Sequence, residues 1–394
     1  MKKGIVFMIL LCAASCATLL QAQETKNSSF QFTIVPPIGT QGAEAPSYSN
    51  KVSVNLLIGI SKNERKFTFG GIGNIVSNDA SGTQIAGMFN FISNNANGFA
   101  LAGISNIIGN NGNGILLSGM LNTSKNYNGM QIGGVLNVAS NLNGIQIAGI
   151  GNIAENANGF QIAGIGNIAK NANGFQIVGI SNVAKNMNGF QIAGINNKAD
   201  NLNGFQIAGI FNKAKKVNGF QIAGILNIAD HSDYPIGLVN LIKDGEKGIS
   251  VSYNEIGSTV LSFRSGGKVM YGILGLGYNY RSISKQSALI EAGIGAHINY
   301  TPTFRINTEM TSKKYGLFNE NNTTQYSLAV LPAFKCAPHL EIFGGPTFNY
   351  LQSDNKDNED IFPGNACINL WKTSSSSCLE QGYIGFTIGT QFLF

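Results

Sequence analysis

The chain carries three histidines, His231, His297 and His339, and each would need a partner before it could act as a general base. His231-Ser232-Asp233 reads as a solvated turn. His297 lies on a segment of strict alternation and reads as interior filling; a strand histidine can serve as a general base, which makes it the best catalytic candidate. No Cys-x-x-Cys or His-Glu-x-x-His spacing occurs, so zinc is unsupported. Gly70-Gly71-Ile72-Gly73 and similar runs lack the Lys-Ser/Thr of a phosphate-binding loop and read as turns. The expectation is a protein without catalytic residues, cofactor or metal. Cys367 and Cys378, eleven apart in one polar loop, are the expected disulfide if the chain meets an oxidising compartment, which leaves Cys336 over.

Two columns of amides recur at a fixed period. One is Asn122, Asn137, Asn152, Asn167, Asn182, Asn197, Asn212 and Asn227. The other is Gln131, Gln146, Gln161, Gln176, Gln191, Gln206 and Gln221. Both read first as ladders that saturate side-chain amides along a stack. The Gln column has a second reading, as a ligand-binding face.

The elements that position these columns are tandem copies of Asn-Gly-Phe-Gln-Ile-Ala-Gly-Ile-x-Asn-Ile-Ala. Aligned on the second Gly, twelve copies run from Gly71 to Gly237, and an Asn follows three places after each, from Asn74 to Asn240. The early steps are 16 residues, the next seven are 15 and the last is 13. Phe160-Gln161-Ile162-Ala163 alternates like a strand and Gly164 shifts the phase, while Asn156-x-Asn158-Gly159 offers a second corner. Gly and Asn are poor helix formers, so no helix is expected. A unit of 15 residues cannot bury an apolar face alone, whereas stacked units bury it continuously.

The spacing therefore predicts an all-β chain: a parallel β-solenoid of about twelve 15–16-residue coils over 66–245, then an antiparallel, eight-stranded β-barrel over 246–394. Glu155, Lys170, Lys185, Asp200, Lys215 and Asp230, one per coil, change sign at four of five steps, as parallel stacking favours. The alternative is one large antiparallel transmembrane barrel, in which Phe160, Ile162 and Ile168 face lipid while Gln161 and Asn167 face a lumen.

Residues 1–22 read as a signal peptide, with Lys2-Lys3, an apolar run from Ile5 to Leu11 and a cut near Ala22. Cys16 lacks the Leu three places before it that a lipoprotein signal would carry. Taking Lys2 and Lys3 from the 26 basic residues leaves 24 against 20 acidic, or +4, too weak a balance for nucleic-acid binding. Fifty Gly without a period of three exclude collagen, and 43% apolar content excludes general disorder. Residues 23–65, with strand-like Val52 to Ile60, are expected to form N-terminal strands that cap the first coil.

Beyond about Gly248 the strands lengthen. Eight are expected, over 248–255, 257–265, 269–282, 288–301, 303–316, 323–336, 338–351 and 381–394, with the longest loop from Ser353 to Gln381. Arg281, Glu291, His297, Arg305 and Glu309 are expected to point inward and fill the barrel. The last segment, ending on Phe394, resembles the carboxy-terminal signal strand of bacterial outer-membrane proteins.

The tandem repeat, together with Phe30-Gln31-Phe32 to Val35-Pro36-Pro37-Ile38-Gly39 and Pro338-His339-Leu340-Glu341, resembles a family of bacterial surface repeat-containing proteins. The resemblance implies exposure in a Gram-negative envelope, with outer-membrane lipid and a protein or glycan as partners, and supplies no catalytic residues. The expected function is non-enzymatic, a repetitive solenoid face presented for structural or binding roles. The alternatives are an outer-membrane channel and, from the likeness of Gln-x-x-Gly-x-x-Asn to curli repeats, a fibre subunit.

Overall fold

A computed structural model describes residues 24–281, 287–316, 323–354, 361–363, 367–375 and 378–394. The expected signal peptide and Cys16 lie outside the described residues. The chain forms a parallel β-solenoid of about 13 turns and a closed eight-stranded antiparallel barrel. It divides into two compact units, Met1–Asn188 and Gly189–Phe394, a boundary that falls within the repeats.

In the first unit, Lys26–Val35 pairs in parallel with Tyr48–Asn55, which pairs in parallel with Asn63–Gly70. The segment expected to form N-terminal strands or a cap thus supplies coils of its own. The short strand Ile38–Gly39 and the 3-10 turn Gly42–Ser47 follow the first of them. Further along, Gly151–Ala163 pairs with Gly166–Val178 residue for residue, Asn152 to Asn167 and Gln161 to Gln176. This parallel register overturns the single antiparallel barrel, which would send successive copies in opposite directions.

Each coil has two corners. One is the bend at Gly164-Ile165, between strands. The other lies near Glu155, where the pairing skips a residue, and runs on to Gly159 at φ 127°. A Cβ at Gly159 would stand 2.1 Å from the Gly144 carbonyl oxygen, so this position accepts only glycine.

The interior reverses one expectation. Stacking buries Asn152, Ala154, Ala157, Gln161 and Ala163, whereas Ile153, Phe160, Ile162 and Ile165 face out. The two strands of a coil lie so close that the Asn152 amide reaches the Ile162 carbonyl across the interior at 2.8 Å. Such a space admits alanine and planar amides but not a column of Phe and Ile.

The second unit holds further coils, from Asn196–Lys198 to Val239–Ile242, and the barrel. Its eight strands are Lys247–Asn254, Ser258–Gly266, Met270–Asn279, Ala288–Asn299, Phe304–Tyr315, Thr323–Ala337, Leu340–Ser353 and Leu379–Leu393. Each pairs antiparallel with the next, and Leu379–Leu393 closes the ring on Lys247–Asn254. An unexpected strand, Ile368–Ser374, extends the sheet along Leu379–Ile384. It lies within the stretch expected to be one long loop.

Candidate functional site

The barrel interior is built by alternation, which sends every second side chain inward. Arg264, 5% exposed, donates to Glu309 at 3.0 Å and to Gln391 at 3.2 Å, while Tyr271 donates to Glu309 at 2.7 Å. Arg305 and Asn307 both donate to Glu341, at 3.1 and 3.2 Å. Lys313 stands 3.5 Å from Glu291, which also accepts from Ser262 at 2.6 Å. At the opposite end, Glu255 accepts from Tyr383 at 2.9 Å and from the Phe386 amide at 3.0 Å. Above it Ile256, Leu351, Ile361 and Phe362 pack into one apolar cluster.

Glu291, His297, Arg305 and Glu309 therefore point inward. Arg281 does not: its strand ends at Asn279, and its side chain is exposed beyond the last paired residue. Arg264, Lys313 and Glu341 sit on the same inward alternation and were legible there. Glu246 was not, because it belongs to the connection between the last coil and the first barrel strand. It meets Arg305 at 2.5 Å and Lys335 at 3.3 Å. Burial pushes the Glu246 carboxyl up, but the Arg305, His297 and Lys335 charges prevail and hold it below the usual carboxylate range.

The outer wall is apolar. Leu261, Leu276, Met310, Leu328 and Ile388 are all more than half exposed. Aromatic residues ring both ends: Tyr278, Tyr326 and Tyr350 near the longer loops, and Tyr300, Phe304, Phe334 and Phe392 near the short turns. Tyr326 and Phe334 are eight residues apart on one strand, about 27 Å along it, or about 20 Å of height at a tilt of about 40°. An apolar belt of about 25 Å between aromatic girdles characterises barrels that sit in a bilayer. No helix among the described residues is long and apolar enough to cross a membrane, which says nothing of a barrel.

The Asn column is buried. In the first unit each amide donates to the next, Asn122 to Asn137 (2.9 Å), Asn137 to Asn152 (3.0 Å), Asn152 to Asn167 (2.9 Å) and Asn167 to Asn182 (3.0 Å). In the second, Asn197, Asn212 and Asn227 continue the pattern to Asn240.

The Gln column corrects the ligand-face reading. Gln131, Gln146, Gln161, Gln176, Gln191, Gln206 and Gln221 are each at most 1% exposed. They bond to one another, as in Gln161 to Gln146 at 2.9 Å and Gln221 to Gln206 at 3.0 Å. The alternation that puts Phe160 and Ile162 outside puts Gln161 inside, beyond the reach of a ligand. The charged column stays at the surface, with Lys215 and Asp200 paired at 3.3 Å.

Cys367 and Cys378 are not joined by a disulfide. They flank the two ends of one hairpin strand: Ile368 pairs with Ile384, whereas Ser374 pairs with Leu379, next to Cys378. The seven residues of Ile368–Ser374, six steps of strand, hold them about 20 Å apart, far beyond disulfide reach. Cys336 is exposed near the short turn before Leu340.

The histidines do not converge. His231 meets Asp244 at 2.5 Å, and His339 meets the Leu393 carbonyl oxygen at 2.9 Å. His297 meets Asn307 at 2.7 Å and stacks on Tyr271 at 4.3 Å. Among the described residues, no group of three or more His, Cys, Asp or Glu is placed to hold a metal.

No family model matches the chain, and no curated protein does. Among solved structures, one described as "De novo design of transmembrane beta-barrels" is similar at 12% identity and a TM-score of 0.22, covering 38% of this chain and 93% of that one. At that score the likeness adds nothing to the geometry above. The fold of solenoid and barrel is compatible with a surface or outer-membrane protein.

Proposed function

We propose that the protein is a non-enzymatic component of a Gram-negative outer membrane, anchored by its barrel and offering its coils for structural or binding roles. The observation that carries this reading is the closed barrel itself, apolar outside between two aromatic girdles and filled inside by paired charges. Filling by Arg264, Arg305 and Lys313 with their carboxylates supports an anchor over the alternative of a channel, since an eight-stranded interior filled by side chains leaves no aqueous path. Lipid is then one partner, and a protein or glycan in the envelope is the other.

The topology supports an orientation. The turns after Gly266, Asn299 and Ala337 are short and share one end with Lys247 and Phe394, whereas at the other end the connections after Asn279, Tyr315 and Ser353 are longer and the one after Asn254 is a short turn. Outer-membrane barrels keep short turns in the periplasm and longer loops outside. The coils that lead into Lys247–Asn254 arrive at the short-turn end, which supports a periplasmic position for them and a cell-surface position for the loops.

Cys336, exposed at the short-turn end, tests both statements in a variant carrying Cys367→Ser and Cys378→Ser. A membrane-impermeant maleimide applied to intact cells is expected to leave Cys336 unlabelled, and to label it once the outer membrane is permeabilised. Labelling in intact cells would reverse the orientation, and recovery of the chain in the soluble fraction would remove the anchor.

A further inference from the structure

The solenoid wears its apolar residues outside. Across the first unit fourteen large apolar side chains, from Phe67 to Ile180, are each 37–50% exposed. At about 40% of the ~150 Å² such a side chain presents, they expose on the order of 900 Å², above the ~300–600 Å² of the largest patch on a typical soluble monomer. Water is therefore not the medium this surface is built for.

The shape of the patch says what covers it. In the first unit the outward positions form a contiguous stripe, running from Phe160 and Ile162 round the bend at Ile165 to Ile168 on the following strand, with Thr83 and Thr123 as its polar members; in the second unit Lys198 and Lys213 take the Ile168 place, so the stripe belongs to the first unit. They thus wrap a convex edge and both flanks beside it. The opposite edge is polar, with Glu155, Asn156 and Asn158 in one coil and Lys170, Asn171 and Asn173 in the next. Exposed amides bond along this edge, Asn171 to Asn156 at 2.7 Å and Asn173 to Asn158 at 3.2 Å. A second copy laid on either flank would cover Phe160 and Ile162 or Ile168, and leave the bend and the other flank in water. A fluid apolar phase covers all three.

The backbone meets the demand such a phase makes. The bend amides bond to the coil before them, Ile165 to Ile150 at 2.9 Å and Gly166 to Ile150 at 3.0 Å, so the apolar edge presents few unpaired N–H groups. The inner amides pair with one another in the Asn and Gln ladders. This arrangement, polar within and apolar without, is that of a barrel wall.

We infer that the apolar edge of the solenoid is a lipid-contacting surface, seated in the acyl region of a bilayer with the Asn, Glu and Lys edge facing water. The polar edge carries charges of both signs, Glu155 beside Lys170 and Lys185, so the contact requires no anionic headgroup. The inference rests on the membrane anchoring proposed above, and the test separates the two.

The full chain, with Trp371→Phe as background, is placed in phosphatidylcholine vesicles whose acyl chains are brominated. Single tryptophans are introduced as Ile165→Trp or Ile180→Trp on the apolar edge, Asn171→Trp on the polar edge and Leu276→Trp on the barrel wall. Bromine is expected to quench positions 165, 180 and 276 by about twofold or more and to leave 171 nearly unchanged, since an interfacial element sinks about 5–10 Å into the acyl boundary. Acrylamide in the water is expected to do the reverse. Quenching at 276 with acrylamide-accessible 165 and 180 would overturn this inference alone. Shielding of 165 and 180 from both quenchers would overturn it in favour of a second copy of the chain. No quenching at 276 would overturn the anchoring itself.

Discussion

Asn167 is the sharpest probe of the solenoid interior. Its amide donates to Asn182 Oδ1 at 3.0 Å, to the Ile177 carbonyl at 2.9 Å and to the Gln161 carbonyl at 3.1 Å, and its own oxygen accepts from Asn152 at 2.9 Å. Asn167→Ala removes all four bonds at a site with no exposed surface. Asn182 Oδ1 loses the Asn167 donor, and Asn152 keeps its bond to Ile162 but loses the one along the stack. Two buried amides that each lose a partner, at about 1–3 kcal/mol each, predict a loss of roughly 2–5 kcal/mol. Asn171 offers the control: it also bonds along the stack, to Asn156 at 2.7 Å, but in contact with water. Asn171→Ala is expected to cost under about 0.5–1 kcal/mol. Hydrogen–deuterium exchange of peptides spanning residues 145–185 reads the difference locally, so the stability of the barrel does not enter. A gap of about 2 kcal/mol is about 30-fold in the opening constant of these coils. Equal exchange in the two variants would refute the view that the inner ladder, and not the outer one, holds the stack.

Four further outcomes are expected. Glu64 is buried among Ser53, Asn50 and their neighbours, and burial pushes its carboxyl above the ordinary value of 4.5 despite the hydrogen bonds it accepts. The folded state therefore holds this proton more tightly than the unfolded chain, so exchange protection of the first coils should weaken as pH rises from 4.5 through the raised value, and Glu64→Gln should flatten that dependence. Gly159→Ala places a Cβ on the Gly144 carbonyl at a φ of 127° and should cost about 1–3 kcal/mol, read as faster exchange of the coil around it, whereas Ala157→Gly should cost less. Arg305→Ala strands Glu341, which has no exposed surface, and should cost about 3–5 kcal/mol; a lowered temperature for loss of the compact, heat-modifiable band on a gel would report it. Asn158→Cys with Asn173→Cys should oxidise readily, because parallel coils set these residues one strand spacing apart, and failure to crosslink in folded protein would remove the parallel register.

Much of the architecture is written in one dimension. The fixed step between Gly149, Gly164 and Gly179 determines a stacked coil, since identical short units can satisfy themselves only against each other. The strict alternation of Leu289 to Tyr300 likewise determines a two-faced strand, and with it the inward positions of Glu291 and His297. The Asn ladder was legible for the same reason: an amide fixed in every copy has its own kind above and below. The tertiary structure decided which side of the coil is the inside. Alternation says that Phe160 and Gln161 lie on opposite faces, but it does not say which face closes. That is set by how near two strands of one coil approach, and a gap spanned by a single asparagine admits amides and alanine and expels Phe and Ile. The same holds for Cys367 and Cys378, close in number yet held at the two ends of a hairpin by a strand that polar, serine-rich surroundings had hidden. It holds for Glu246 as well, whose partners Arg305 and Lys335 are 59 and 89 residues away and meet it only because the ring closes.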